Sequence, residues 1–164
     1  MEKEAQFNAL FHQHYNKVLR LCRGYFNGDN DMASDTTQEV FIKVWENLDS
    51  FRNESTISTW IFRISVNTCL MYLRKKSTQK EVNTTLFPNI ETDVYSTEIE
   101  EKMNKMYACI QTLEETNKMI ILMVLENLEY AEIANVIGIN EETLRVRIHR
   151  IKNSLTKCVQ NERV

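Results

Sequence analysis

Near the C-terminal end, Arg145, Arg147, His149, Arg150 and Lys152 crowd one short stretch. Between them Leu144, Ile148 and Ile151 recur at the i, i+4, i+7 spacing of a helix's inward face. A helix divided in this way can lie in the major groove of duplex DNA, where arginine reads guanine or clamps phosphate. The preceding residues supply the rest of a helix-turn-helix. Ala131, Ile133, Ala134 and Ile137 share one face of a short helix, Gly138 permits the left-handed backbone that ends it, and Asn140 is placed to cap the next. A solvated helix face is the ordinary role of such a charge run; the Ala134-x-x-x-Gly138 spacing ahead of it is what favours DNA.

Other chemistry finds little support. His12, His14 and His149 stand at no ligand or triad spacing with the cysteines, and no glycine loop could cradle a phosphate. Cys22, Cys69, Cys109 and Cys158 lie far apart with no Cys-x-x-Cys pair, so neither a metal nor any other cofactor is expected. They read as four reduced thiols, in the core or near the surface, with Cys158 the most open to solvent. No apolar run is long enough to span a bilayer, and Met1-Glu2-Lys3-Glu4 is too charged to begin a secretory signal. The expectation is a cytoplasmic protein without membrane insertion, and not an enzyme.

The elements that must position the basic helix are themselves helical. A 43% hydrophobic content suffices for a core, and three glycines with one proline are too few for the turns of a β-fold. Phe7, Leu10, Phe11, Tyr15, Val18, Leu19, Cys22 and Phe26 mark a first helix. A turn over 27–30 leads to a second, capped by Asp31 or Ser34 and carrying Val40, Phe41, Val44, Trp45 and Leu48. A third, amphipathic helix runs over 56–76 and ends in Arg74-Lys75-Lys76, where cations suit the helix dipole. Residues 81–101 contain six acidic residues and no lysine or arginine, so the net charge of −3 hides flanks that together carry +3. Four more helices follow. The chain is therefore all-α: two small helical domains, 1–77 and 98–164, joined by a flexible acidic linker over 78–97.

One phrase of the first domain goes beyond pattern: Asp35-Thr36-Thr37-Gln38-Glu39-Val40-Phe41-Ile42-Lys43-Val44-Trp45, then Asp49-Ser50-Phe51-Arg52, then Thr59-Trp60-Ile61-Phe62-Arg63-Ile64-Ser65-Val66-Asn67, then Tyr72-Leu73-Arg74-Lys75. It resembles region 2 of the extracytoplasmic-function (ECF) sigma factors, two-domain bacterial transcription initiation factors, and the C-terminal segment resembles their region 4. The resemblance implies a protein that binds core RNA polymerase and directs it to promoter DNA through the −10 and −35 elements. It implies docking of Asp35, Gln38, Glu39, Ile42, Lys43 and Trp45 on the clamp coiled coil, and a second contact of the chain with the flap. It further implies a pocket for a flipped −10 base, with Asn67 reading the base edge, Phe51, Trp60 and Arg63 as walls, and Arg52, Arg74 and Lys75 along the strand. For Trp60, core packing is an equal reading.

Thr143, Arg145, Arg147, His149 and Arg150 map onto the helix that reads the −35 duplex. Arg145 and His149 are expected to reach bases, and Arg147 and Arg150 phosphates. Glu141 and Glu142 depart from the small residues frequent at that helix start, and their charge opposes phosphate. By the same resemblance an anti-sigma factor is a further expected partner. The alternative is a stand-alone helix-turn-helix regulator of duplex DNA, which leaves the 35–67 phrase unexplained.

Overall fold

Leu10, His14, Val18, Leu21, Cys22 and Tyr25 are buried along one face of α1 (Glu2–Tyr25), at the three- and four-residue intervals that build a single apolar stripe. The helix stops where Asn27 and Gly28 both take positive φ, and Asp29 immediately caps α2 (Asn30–Asn47) by accepting from the Met32 N–H at 3.0 Å. The cap thus falls on Asp29, not on Asp31 or Ser34, because the left-handed pair completes the turn in two residues. A 3₁₀ turn, Leu48–Ser50, follows α2. Thr56 then starts α3 (Ile57–Thr78), its hydroxyl accepting from the Thr59 N–H at 3.1 Å. The remaining helices are α4 (Thr97–Gln111), α5 (Glu115–Leu125), α6 (Tyr130–Ile137) and α7 (Glu141–Asn161). This computed structural model describes residues 1–78 and 97–161, and no strand occurs among them. The acidic linker expected over 78–97 lies, apart from its ends, outside the described residues.

The first three helices close over Val18, Leu21, Val40, Val44, Ile61 and Phe62. The last four close over Ile110, Met119, Ile120, Met123, Ile133 and Leu144. These two cores are continuous. Gly24 on α1 makes that possible: a Cβ there would lie 2.5 Å from Cδ2 of Leu122, so the bare backbone lets α5 close in. Polar ties frame the contact. The Gln111 amide donates to the Gly24 carbonyl at 2.7 Å, Arg20 forks onto both Glu126 oxygens at 3.1 and 3.0 Å, and Arg63 donates to the Asn135 carbonyl at 3.0 Å. Lys118, buried beside Glu115, sets its ammonium 5.3 Å from the centre of the Tyr25 ring.

The cysteines depart from expectation. Cys109 and Cys158 form a disulfide between α4 and α7, with Cα atoms 6.0 Å apart, and are not reduced thiols. Residues 49 apart in sequence meet because α4 and α7 pack against each other, which spacing alone does not reveal. Cys22 and Cys69 do remain free and buried, their sulfurs 3.7 Å apart across α1 and α3. Closing a loop of this length should stabilise the second helical unit by about 2–4 kcal/mol in the chain-entropy account. Reductant should therefore lower the melting temperature of the native chain and leave that of Cys158→Ser unmoved; equal melting with and without reductant would show that the bond contributes nothing.

His14 is buried on α1 with the Phe62 ring edge-on, and neither ring nitrogen has a hydrogen-bond partner among the described residues. Burial pushes the imidazole below its ordinary pKa of 6.5, Lys17 adds to that, and Glu132 on α6 opposes it. The unfolded chain takes up this proton near 6.5 and the fold only at lower pH, so stability present above 6.5 is lost as pH falls from there toward the folded value. Urea midpoints between pH 8 and pH 5 should fall with acidification in the native chain and change less in His14→Leu. An identical pH dependence in both would assign the effect to another group.

Candidate nucleic-acid interface

Between α2, the 3₁₀ turn and α3 lies a cleft of about 330 Å³, lined by Lys43, Asn47, Ser50, Trp60, Ile64, Asn67 and Thr68. That volume stands at the small end of ligand pockets, suited to a single planar group. Its polar wall is built by bonds within α2 and the turn after it, and by one from α2 to α3. Lys43 pairs with Glu39 at 2.9 Å and donates to the Thr68 hydroxyl at 3.2 Å; the Asn47 amide donates to the Lys43 carbonyl at 2.8 Å, and Ser50 to the Asn47 carbonyl at 2.8 Å. Asn67, by contrast, is exposed at the cleft, its carboxamide able to donate and to accept. The Trp60 ring lies half-buried against Phe51, centroids 5.1 Å apart and tilted 39°, so it serves as packing on one side and as cleft wall on the other.

Of the residues expected here, Asn67 and Trp60 meet in the cleft, and Phe51 stands behind Trp60. Arg63 points elsewhere: its guanidinium is the one bonded to Asn135 on α6. Arg52, Arg74 and Lys75 are exposed, on the loop after the 3₁₀ turn and near the end of α3. The sequence did not point to Asn47, Ile64 and Thr68 as cleft residues, whereas Ser50 opens the loop over 50–58 that the resemblance places at the flipped base; Lys43 was expected in docking alone. Ile64, Asn67 and Thr68 follow Trp60 at helical period, a signal that was available. Lys43 and Asn47 reach the cleft only through the packing of α2 on α3.

On the outer face of α2, Asp35, Gln38 and Ile42 are exposed at i, i+3 and i+7, with Ile42 57% accessible, a large apolar side chain left in solvent. Trp45, also exposed, packs edge-on to Phe7 and beneath the Lys3 ammonium. The Glu39 carboxyl is held below its ordinary pKa, first by its bond from Lys43. The same ion pair thus belongs to the cleft and to the stripe.

The helix-turn-helix has its expected joints. Gly138 ends α6 at φ 84°, and the Asn140 side chain accepts from the Thr143 N–H at 2.7 Å to start α7. Leu144, Ile148 and Ile151 are buried, but on α6 the buried set is Ile133, Ala134 and Val136, with Ala131 exposed. Two arginines of α7 are engaged within the protein. Arg145 pairs with Glu141 at 2.6 Å and lies 5.4 Å from the centre of the Tyr130 ring. Arg147 turns back to α5, donating to Asn117 at 2.8 Å and pairing with Glu114 at 3.4 Å. Thr143, His149 and Arg150 are exposed, His149 bonded to Asn153 at 3.2 Å. No group of three His, Cys, Asp or Glu side chains among the described residues could hold a metal, and no described helix is long and apolar enough to cross a membrane.

Residues 10–79 match the family Sigma-70 region 2 and residues 103–155 match Sigma-70, region 4. The ECF RNA polymerase sigma-E factor of Escherichia coli K12 is 33% identical over 168 residues, covering 94% of this chain and 86% of that one. The chain belongs to the ECF sigma factors. The sigma-E factor of Haemophilus influenzae is 30% identical over 94% of this chain and 87% of its own. The fold is shared with CnrH, solved in complex with the cytosolic domain of CnrY (TM-score 0.73, 18% identity, 96% of this chain and 90% of that one). It is shared equally with RpoE of Bartonella quintana in complex with the anti-sigma factor NepR (TM-score 0.73, 17% identity, 96% and 99%). This ECF sigma factor is thus a transcription initiation factor that acts with core RNA polymerase at promoters, and the region 2 match removes the case for a stand-alone regulator.

The geometry divides the arginines of region 4. Arg147→Ala should cost about 1 kcal/mol of stability by removing the tie between α5 and α7, and leave the salt dependence of DNA binding unchanged. Arg150→Ala should do the reverse, lowering the salt slope of holoenzyme binding by about one unit at constant melting temperature. Thermal melts and a salt titration of the two variants decide it; a lowered slope for Arg147→Ala would show that its partners release it to DNA.

Proposed function

We propose that this sigma factor docks on the clamp coiled coil of core polymerase through the α2 stripe of Asp35, Gln38, Glu39 and Ile42, with Lys43 and Trp45 at its margins. In this reading the cleft beside α3 receives one unstacked base of the −10 element, and α7 enters the −35 duplex. The cleft carries the proposal. An exposed carboxamide, an aromatic wall and fixed donors are what recognition of a flipped base requires, and they are assembled here by α2, the 3₁₀ turn and α3 together. The exposed Ile42 amid polar neighbours fits a helix-pairing surface, where an apolar anchor ringed by hydrogen-bonding groups gives both affinity and register. An anti-sigma factor is proposed as a further partner, supported by likeness in fold to the sigma factor RpoE, solved in complex with the anti-sigma factor NepR. A contact of the region 4 helices with the polymerase flap belongs to the same reading.

Run-off transcription from a promoter library with core polymerase tests the function directly. Gln38→Lys with Glu39→Lys should lower recovery of core polymerase on the tagged protein roughly tenfold or more while the fold stays intact, since like charge at a docking surface costs several kcal/mol. Asn67→Ala should keep polymerase binding but impair promoter opening, the loss of base-edge bonds amounting to about 1–3 kcal/mol. Normal recovery of polymerase by the double lysine variant would move docking to another surface.

A further inference from the structure

The centre of the exposed face of α7 carries no cation. At about 100° per residue, Val146 stands about 140–160° around the helix from each of Leu144, Ile148 and Ile151, more directly opposite the buried stripe than any arginine. It is 53% exposed, a β-branched apolar side chain at the middle of the face that a groove would meet first. Glu142, also exposed, precedes it by one turn on nearly the same line. Arg145 lies on one flank, drawn toward Glu141 and Tyr130, and Arg147 on the other, drawn toward α5. Phosphates cannot be what this central line meets, because a valine offers them nothing and a glutamate repels them. Base edges can. In the major groove the one apolar group is the C5 methyl of thymine, and the groups that would satisfy a carboxylate are the exocyclic amines of cytosine and adenine.

We propose that Val146 is a specificity-determining residue of this sigma factor, reading a thymine in the −35 duplex through contact with its C5 methyl, with the Thr143 methyl beside it. This rests on the reading of α7 as the helix that enters that duplex. The exposed Arg150, one turn along the helix, then holds the backbone, while the centre discriminates by shape and methyl contact. Such a centre selects against a guanine or cytosine at the contacted position, where no methyl is offered.

The test removes the methyl from the DNA and the side chain from the protein separately. Holoenzyme assembled from the full chain and core polymerase is first used to select its preferred upstream sequence, and each thymine of that sequence is then replaced in turn by deoxyuridine. One replacement should weaken wild-type binding about fourfold, the loss of one buried methyl. Val146→Ala, an exposed substitution that favours the helix, should bind the thymine and deoxyuridine duplexes within twofold of each other. A wild-type holoenzyme that prefers one upstream sequence yet is indifferent to every thymine methyl overturns the proposal and leaves the α7 reading standing. So does a Val146→Ala holoenzyme that keeps the full discrimination. No sequence preference upstream in the wild type overturns the α7 reading, and the proposal with it.

Discussion

Leu122 seats against the bare backbone of Gly24, and the way the two halves of the chain share a core depends on that contact. A Cβ at Gly24 would lie 2.5 Å from Cδ2 of Leu122, inside van der Waals contact, so Leu122 would have to turn aside for α5 to keep its approach to α1. With α5 in place, Gln111 reaches the Gly24 carbonyl, Lys118 reaches Tyr25, and α6 comes to lie beside α3, where Arg63 finds Asn135. The seam differs from the two cores it joins. Each core is filled by apolar side chains from three or four helices, whereas the outer part of the seam is made of ion pairs and single hydrogen bonds. Arg20 and Arg63 keep one face in water there, and exposed pairs of that kind contribute about 1 kcal/mol or less. The polar rim of the seam is therefore weaker than the packing within either half.

Within the first half, one ion pair links the two surfaces proposed for partners. Lys43 answers Glu39 on the α2 stripe and Thr68 in the cleft, and the Glu39 carboxylate also lies within reach of the Tyr72 hydroxyl. A residue that the resemblance assigned to docking alone is thus a wall of the proposed base pocket as well. Both surfaces are carried on helices whose buried faces, Val40, Phe41 and Val44 against Ile61 and Phe62, admit little movement. Polar groups held on rigid helices keep their geometry better than groups on loops, which suits a pocket that must fit one base.

What could be read from the chain was local. The inward residues Leu144, Ile148 and Ile151, the left-handed Gly138 and the Asn140 cap follow from periodicity and from backbone chemistry confined to a few residues. What escaped was set by contacts between distant segments. Asp29 displaces Asp31 and Ser34 as a cap because the turn before it is tighter than its length implies, and Val136 is buried in place of Ala131 because α6 packs on α3 as well as on α7. Arg63 was expected as a wall of the base pocket and Arg147 at phosphate, since a sequence shows a charge but not the carbonyl or carboxylate that three-dimensional packing brings to it. The Cys109–Cys158 pair is of the same kind: a proximity created by α4 lying on α7.

These engagements bear on how an acidic chain works at DNA. The recognition helix has five basic side chains in eight residues, yet Arg145 is already neutralised by Glu141 and Arg147 by Glu114. Glu142 adds a negative charge on the outward face. Arg150 and Lys152 remain for phosphate on the proposed reading, and each phosphate contact contributes a slope of about 0.9 to the salt dependence of binding, so few contacts mean weak hold at physiological salt. A protein arranged in this way gains little from non-specific attraction and wanders less along duplex. On the proposed reading its affinity comes from the polymerase that carries it, and the helix contributes choice of sequence more than strength, which agrees with a face whose centre carries no cation.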